Sequence, residues 1–303
     1  ATDSTPISSY RIEGITSTDL TPGSNNRAVG NPIPANGLFN DTFTNTESIS
    51  KNVIYSIVPI SEKGCEGAAF TVRVSIKPEP KVDPQTLTVC NEQDLGITLR
   101  GSTNGVAISS YNIISINSNG LTASAGSPLE KDGVLSEELF DDAWSNPGNA
   151  PVKVVYTVVP VSSAGVLGGS FTVTVTVNPV PVVSAQTDTV CSGETLNLNL
   201  NDGILSGGDS FKYIIDQVSI PPGLTRTGGP SSYGTGSDAL NGDSFTNTTS
   251  APVEVFYTVT PYIEILGDAS DCGGAPFKVT VTVNPAPVGE AQTGAVVNSR
   301  SPI

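Results

Sequence analysis

Apolar and hydroxyl residues alternate strictly through Phe171-Thr172-Val173-Thr174-Val175-Thr176-Val177. Successive side chains of a strand point to opposite faces, so this pattern predicts a β-strand with its apolar set buried and threonines toward water. About a dozen residues upstream, Val152 to Val159 is more continuously apolar, as expected for an antiparallel neighbour joined by a hairpin loop. Further strands are predicted over Leu196 to Leu200 and Tyr213 to Ile220, with Gly, Asn, Ser and Pro turns between them. Thr, Ser, Val, Asn, Gly and Pro dominate the chain, so helix should be scarce and the fold all-β.

The pattern recurs at a fixed period. Tyr55, Tyr156 and Tyr257, each followed four residues on by a proline, stand 101 residues apart. The same step relates Asp41, Asp142 and Asp243, then Phe43, Trp144 and Phe245, then Asn45, Asn146 and Asn247. Phe70, Phe171 and Phe277 open the last strand of each copy, and a five-residue insertion before the third should map to a loop. A period near 100 is too long for a solenoid repeat and matches one sandwich domain of about seven strands, each closing its own core. The expected architecture is a tandem array of immunoglobulin-like β-sandwich modules: 1–80, 81–181 and 182–287, with 288–303 beginning a further one.

Lys77-Pro78-Glu79-Pro80, Asn178-Pro179-Val180-Pro181 and Asn284-Pro285-Ala286-Pro287 follow the last strands. Two prolines spaced by one residue cannot continue a ladder and hold the backbone extended, so short semi-rigid links and an extended rod are expected. Ile7-Ser8-Ser9-Tyr10 aligns with Ile108-Ser109-Ser110-Tyr111, so the first module lacks its opening strand, whereas 288–303 aligns with an opening segment. Either the chain is a slice of a longer array, or this tail completes the open sandwich of another copy by strand addition.

The four cysteines, with no His and no Cys-x-x-Cys, point to disulfides rather than zinc, and so to an oxidising compartment. Cys90 and Cys191 share the opening position of their modules, and Cys65 and Cys272 share the loop before the last strand. If the first and last strands begin at the same pole of a sandwich, an opening cysteine meets the loop cysteine of its own module. That predicts a Cys191–Cys272 disulfide, with Cys65 and Cys90 unpaired.

Composition narrows the function. Lys plus Arg is 14 against 29 for Asp plus Glu, a net charge of −15, which repels nucleic acid and anionic membrane. No apolar run of about 20 residues exists to span a bilayer, and the first ten residues carry no signal-peptide pattern, so the chain is expected to be mature or a fragment. Without His, Ser-His-Asp and Cys-His catalysis are impossible in these residues, and no carboxylate pair is placed by pattern in a cleft. The chain is expected not to be an enzyme and to need no cofactor.

Two groups invite a binding reading. Asp142, Trp144 and Asn146 would form a glycan contact if the indole were exposed to stack on a pyranose; otherwise the aromatic plugs the core while Asp and Asn bond the turn backbone. Glu137, Glu138, Asp141 and Asp142, and separately Asp268 with Asp271, would supply oxygen ligands to calcium, or else form solvated acidic faces.

The Tyr-Thr-Val-x-Pro strand, the Asp-x-Phe/Trp-x-Asn loop, the Thr-Val-Cys opening and the Phe-Thr-Val-Thr-Val-Thr-Val-Asn-Pro-x-Pro close together resemble a known family. They are similar to the PKD-like repeats of giant surface adhesins and gliding-motility adhesins of Bacteroidota. The resemblance implies export to the cell surface through the type IX route and service as a stalk or adhesive filament, its partners being further repeats, other copies or surface glycans. A self-assembling pilus-like subunit joined by 288–303, and a carbohydrate-binding array of a secreted hydrolase, are the competing readings.

Overall fold

The computed structural model describes residues 6–200, 211–263, 271–289, 291, 292 and 294. Among them regular structure is β-strand with no α-helix. The chain divides into two compact units, one of Ala1–Asn146 with Val152–Val177 and the other of Pro147–Pro151 with Asn178–Ile303.

The first unit holds two cores. Its earlier part comprises β1 (Ile7–Ser17), β2 (Thr21–Pro22), β3 (Pro32–Ile33), β4 (Phe43–Thr44), β5 (Lys51–Ser61) and β6 (Phe70–Ile76). The main sheet runs β3-β1-β5-β6, and β2 pairs with β4. Ile12, Ile33, Val53, Tyr55 and Ile57 form its buried core.

The later part comprises β7 (Gln85–Cys90), β8 (Ile108–Asn117), β9 (Thr122–Ala125), β10 (Lys131–Val134), β11 (Ala143–Ser145), β12 (Val152–Ser162) and β13 (Phe171–Asn178), as a sheet ordered β10-β8-β12-β13-β7 beside a β9–β11 ribbon. Along β13 the apolar residues are buried and Thr172, Thr174 and Thr176 are half-buried, following the period-two expectation. Val82, Val89, Leu95 and Leu99 of the opening segment pack into this core with Tyr111, Trp144 and Tyr156.

That contribution explains the difference between the two parts. Strand β6 has β5 on one side and, among the described residues, no strand on the other. Phe70 is 43% exposed and Val74 39%, whereas their equivalents Phe171 and Val175 are 3% and 0%. Among the described residues no segment gives the inward face of β6 the aliphatic cover that Val89, Leu95 and Leu99 supply to β13.

The two parts of this unit are joined by specific bonds. The Asn104 Nδ2 amide donates to the carbonyls of Thr46 (2.9 Å) and Glu79 (2.8 Å), and its Oδ1 accepts from Lys81 N (3.2 Å). Gly168 faces the Pro80 carbonyl so closely that a Cβ would collide with it. The link 77–80 is thus seated by backbone contacts as well as stiffened by its prolines.

The second unit contains β14 (Gln186–Cys191), β15 (Phe211–Ser219), β16 (Leu224–Gly228), β17 (Ser244–Asn247), β18 (Val253–Ile263), β19 (Cys272–Gly273) and β20 (Phe277–Asn284). The sheet runs β14-β20-β18-β15, with β19 on β18 and a β16–β17 ribbon. β14 pairs in parallel with β20, from Gln186 opposite Val279 to Cys191 opposite Asn284. The segment Leu196 to Leu200, expected as a strand, is irregular: Leu196 N donates to Asp243 O (2.7 Å) and Leu200 N to Ser237 O (2.6 Å), while both side chains are buried. Most of the loop between β18 and β19, where the insertion was expected, lies outside the described residues, as does most of 288–303.

Candidate functional site

Each module repeats one constellation, buried in the later two and half-buried at Asp41 in the first. The Tyr55, Tyr156 and Tyr257 hydroxyls donate to a carboxylate oxygen of Asp41 (2.9 Å), Asp142 (3.0 Å) and Asp243 (2.8 Å). The tyrosine lies mid-strand and the aspartate in the preceding loop, so the bond pins loop to sheet. Asn45, Asn146 and Asn247 complete the pin, their Nδ2 amides donating to the carbonyls of Ile76 (2.9 Å), Val177 (2.8 Å) and Val283 (2.8 Å) at the end of the last strand. The Asn45 and Asn247 Oδ1 atoms also accept a turn N–H, from Glu47 and Thr249. A buried amide whose hydrogen bonds go to backbone fixes a loop and has little left for a ligand.

The glycan contact proposed for Asp142, Trp144 and Asn146 is corrected on this geometry. Trp144 is 4% exposed and packs edge-on against Tyr156, ring centroids 6.3 Å apart at 70°. Its Nε1 donates to the Tyr156 hydroxyl (2.9 Å), and Asp142 and Asn146 are buried. An indole buried in the core cluster has no face open to stack on a sugar, and the core-plug alternative describes its role. Phe43 and Phe245 stand at the same place.

Glu137, Glu138 and Asp141 line an open cavity of about 600 Å³ with Gly126, Ser127 and Leu135, but Asp142 turns inward to Tyr156. Glu138 is paired with Lys131 (2.8 Å) and Asp271 with Lys212 (3.0 Å). Asp268 lies outside the described residues. Among the described residues no three acidic, His or Cys side chains are grouped to hold a metal ion.

Charge is handled differently in successive copies. Asp243 accepts from Arg226 as well as from Tyr233 and Tyr257. Among the described contacts Asp142 has no such cation, and burial, reinforced by the charges of Asp141 and Glu138, pushes its carboxyl up from 3.8 to about 6 against the opposing Tyr156 hydrogen bond. Burial and the neighbouring aspartate likewise push the Tyr156 and Tyr257 phenols above their ordinary range. Gly126, which nothing in the repeat pattern marks, completes this loop: it sits at φ +70°, and a Cβ there would collide with Asp142.

The cysteines require a correction. Cys65 and Cys191 are free, exposed thiols, whereas Cys90 and Cys272 are disulfide-bonded. The expected Cys191–Cys272 bond therefore does not form, and Cys90 is not unpaired. The reason is position along the strand: the first and last strands do begin at the same pole, but Cys191 ends β14 instead of opening it. Cys191 closes β14 opposite Asn284, the end of β20, while Cys272 on β19 lies opposite Ile263 at the far end of β18. Val253 opposes Val283 on the same ladder, which places the two cysteines some eleven strand residues apart, roughly 35 Å. A disulfide needs Cα atoms within about 7 Å.

Among the described residues no helix is long and apolar enough to cross a membrane. No curated protein matches the chain. Similar solved structures include the FN1-FN3 domains of chicken CNTN1 (11% identity, 94% of this chain and 91% of that one, TM-score 0.31). Others are the fibronectin(III)-like modules of Clostridium thermocellum CbhA (13%, 71% and 96%, TM-score 0.27) and EC1-2 of human mucin-like protocadherin (15%, 68% and 98%, TM-score 0.25). The PKD-like domain matches three times, over residues 19–80, 87–181 and 188–287. Repeated in tandem over most of its length, that match makes the chain a member of the PKD-like domain family.

Proposed function

We propose that the chain is a non-catalytic repeat segment of an extracellular surface protein, serving as a stalk or filament that carries adhesive elements away from the cell. The observation that carries this reading is the fate of the residues recurring every 101 positions. The Asp, Tyr and Asn of each copy, the polar groups a repeated binding site would use, are spent on pinning loops to strands. What repetition preserves here is module integrity, and the number of modules sets reach. The disulfide and the acidic surface fit an oxidising extracellular setting.

The test is made on intact source cells. An antibody raised against 182–287 is expected to label unpermeabilised cells, and duplicating that module in the native gene is expected to lengthen the surface projection by a fixed increment. Labelling only after lysis, or turnover of polysaccharide by the purified chain, would sink the reading.

A second reading, self-assembly by strand donation, is favoured by the exposed Phe70 and Val74 of β6. In the later modules β7 lies beside β13 and β14 beside β20, so β6 offers the edge on which a donated strand from 288–303 of another copy would lie. Electron microscopy of the full chain is then expected to show filaments that vanish when 288–303 is removed. Unchanged monomers in both preparations would eliminate it.

A further inference from the structure

The four cysteines occupy only two kinds of site. At the strand-end site, Cys90 N donates to Gln93 Oε1 (3.0 Å) and Cys191 N to Glu194 Oε2 (2.9 Å), and the backbone N–H groups of Gln93 and Glu194 return to the cysteine carbonyls. At the loop site, Cys65 and Cys272 each stand two residues before a glycine, Gly67 or Gly274, whose N–H donates to Pro59 O (2.9 Å) or Pro261 O (2.8 Å). The turns are the same in both copies. One cysteine of each kind, Cys90 and Cys272, is oxidised, and one of each kind, Cys191 and Cys65, is a free exposed thiol. The register of β14, β18, β19 and β20 excludes pairing of the two kinds within one module.

We propose that Cys191 and Cys65 are complementary half-cystines that join two copies of the chain, the strand-end thiol of one to the loop thiol of the other. This goes beyond the stalk reading, because it makes the array covalently extensible through its own surface. Cys65 lines an open cavity of about 390 Å³ with Ile7, Pro59, Ser61, Lys63 and Glu66, room for the strand-end turn to approach.

The oxidant is a low-molecular-weight disulfide such as oxidised glutathione. One protein thiolate attacks it, forming a mixed disulfide and releasing one glutathione thiolate. The second protein thiolate attacks the protein sulfur of that mixed disulfide, forming the Cys191–Cys65 bond and releasing the second glutathione. The two protein thiols give up two protons, which the departing thiolates take.

The full chain is incubated with oxidised glutathione and resolved on non-reducing gels, with the crosslinked peptides mapped by mass spectrometry. Wild type is expected to give a ladder of multimers dominated by a Cys65–Cys191 peptide, and C65S and C191S to stop at dimers. Mixing the two variants is expected to form heterodimer several-fold faster than either forms homodimer. Both substitutions are at exposed sites, and intact mass verifies that the native disulfide persists. Equal rates of homotypic and heterotypic dimers, a Cys65–Cys191 bond confined to one chain, or monomers carrying glutathione on both thiols would each overturn the proposal.

Discussion

The Tyr156 hydroxyl lies 3.0 Å from Asp142 Oδ2 and 2.9 Å from Trp144 Nε1, donating to the first and accepting from the second. One oxygen thereby satisfies two buried polar groups from the same loop. Removing it by Y156F leaves an indole N–H and a carboxyl short of partners, each costing about 1–3 kcal/mol. The chain has a single tryptophan, Trp144, so its fluorescence reports this module alone. Urea unfolding followed at Trp144 is expected to show a loss of about 2–4 kcal/mol, with the other modules unaffected.

Asp142 also gives this module a pH dependence. Its folded value, near 6, lies above the unfolded 3.8, so between those values the native state keeps a proton that the unfolded state has released. Stability should therefore be greatest below about pH 4, fall as pH rises to about 6 and level off above, by at most ~3 kcal/mol. D142N, which retains an acceptor for Tyr156, is expected to flatten that slope in Trp144-monitored unfolding. A slope surviving in D142N would assign it to another group.

Asn146 and Asn247 should matter equally in their own modules. N146A and N247A each strand a last-strand carbonyl, of Val177 or Val283, at an expected cost of about 1–3 kcal/mol. Differential scanning calorimetry should show a single transition lowered in each variant, a different one in each.

Gly126 and Gly133 separate backbone strain from collision. Both sit at φ +70°, but a Cβ at Gly133 meets open space whereas one at Gly126 runs into Asp142. G133A is expected to cost about 1 kcal/mol and G126A at least twice that, read from the same Trp144 unfolding curves.

Much of this was legible in the sequence because it lies in side-chain period and repeat. The alternation in Phe171 to Val177 announced β13 and its buried face, and the recurrence of Asp, Tyr and Asn announced a shared constellation. Three things were not legible. Leu196 to Leu200 has a strand's side-chain pattern, yet its amides bond loop carbonyls, which only the tertiary fold supplies. Gly126 is defined by a neighbour sixteen residues away. The disulfide prediction failed because the repeat pattern does not mark where β14 ends: the strand runs from Gln186 to Cys191 and carries the cysteine to its far end. Because β14 runs parallel to β20, that far end is the pole opposite the loop of Cys272.

That parallel pairing has a mechanical meaning. Tension applied to the two ends of the third module pulls on the start of β14 and the end of β20, which lie side by side from Gln186 opposite Val279 to Cys191 opposite Asn284. Load then runs along the strands and falls on the whole ladder in shear, so its bonds must break together rather than peel one after another. A module built this way yields as a single, force-resistant event, the property asked of a tether that must hold under drag.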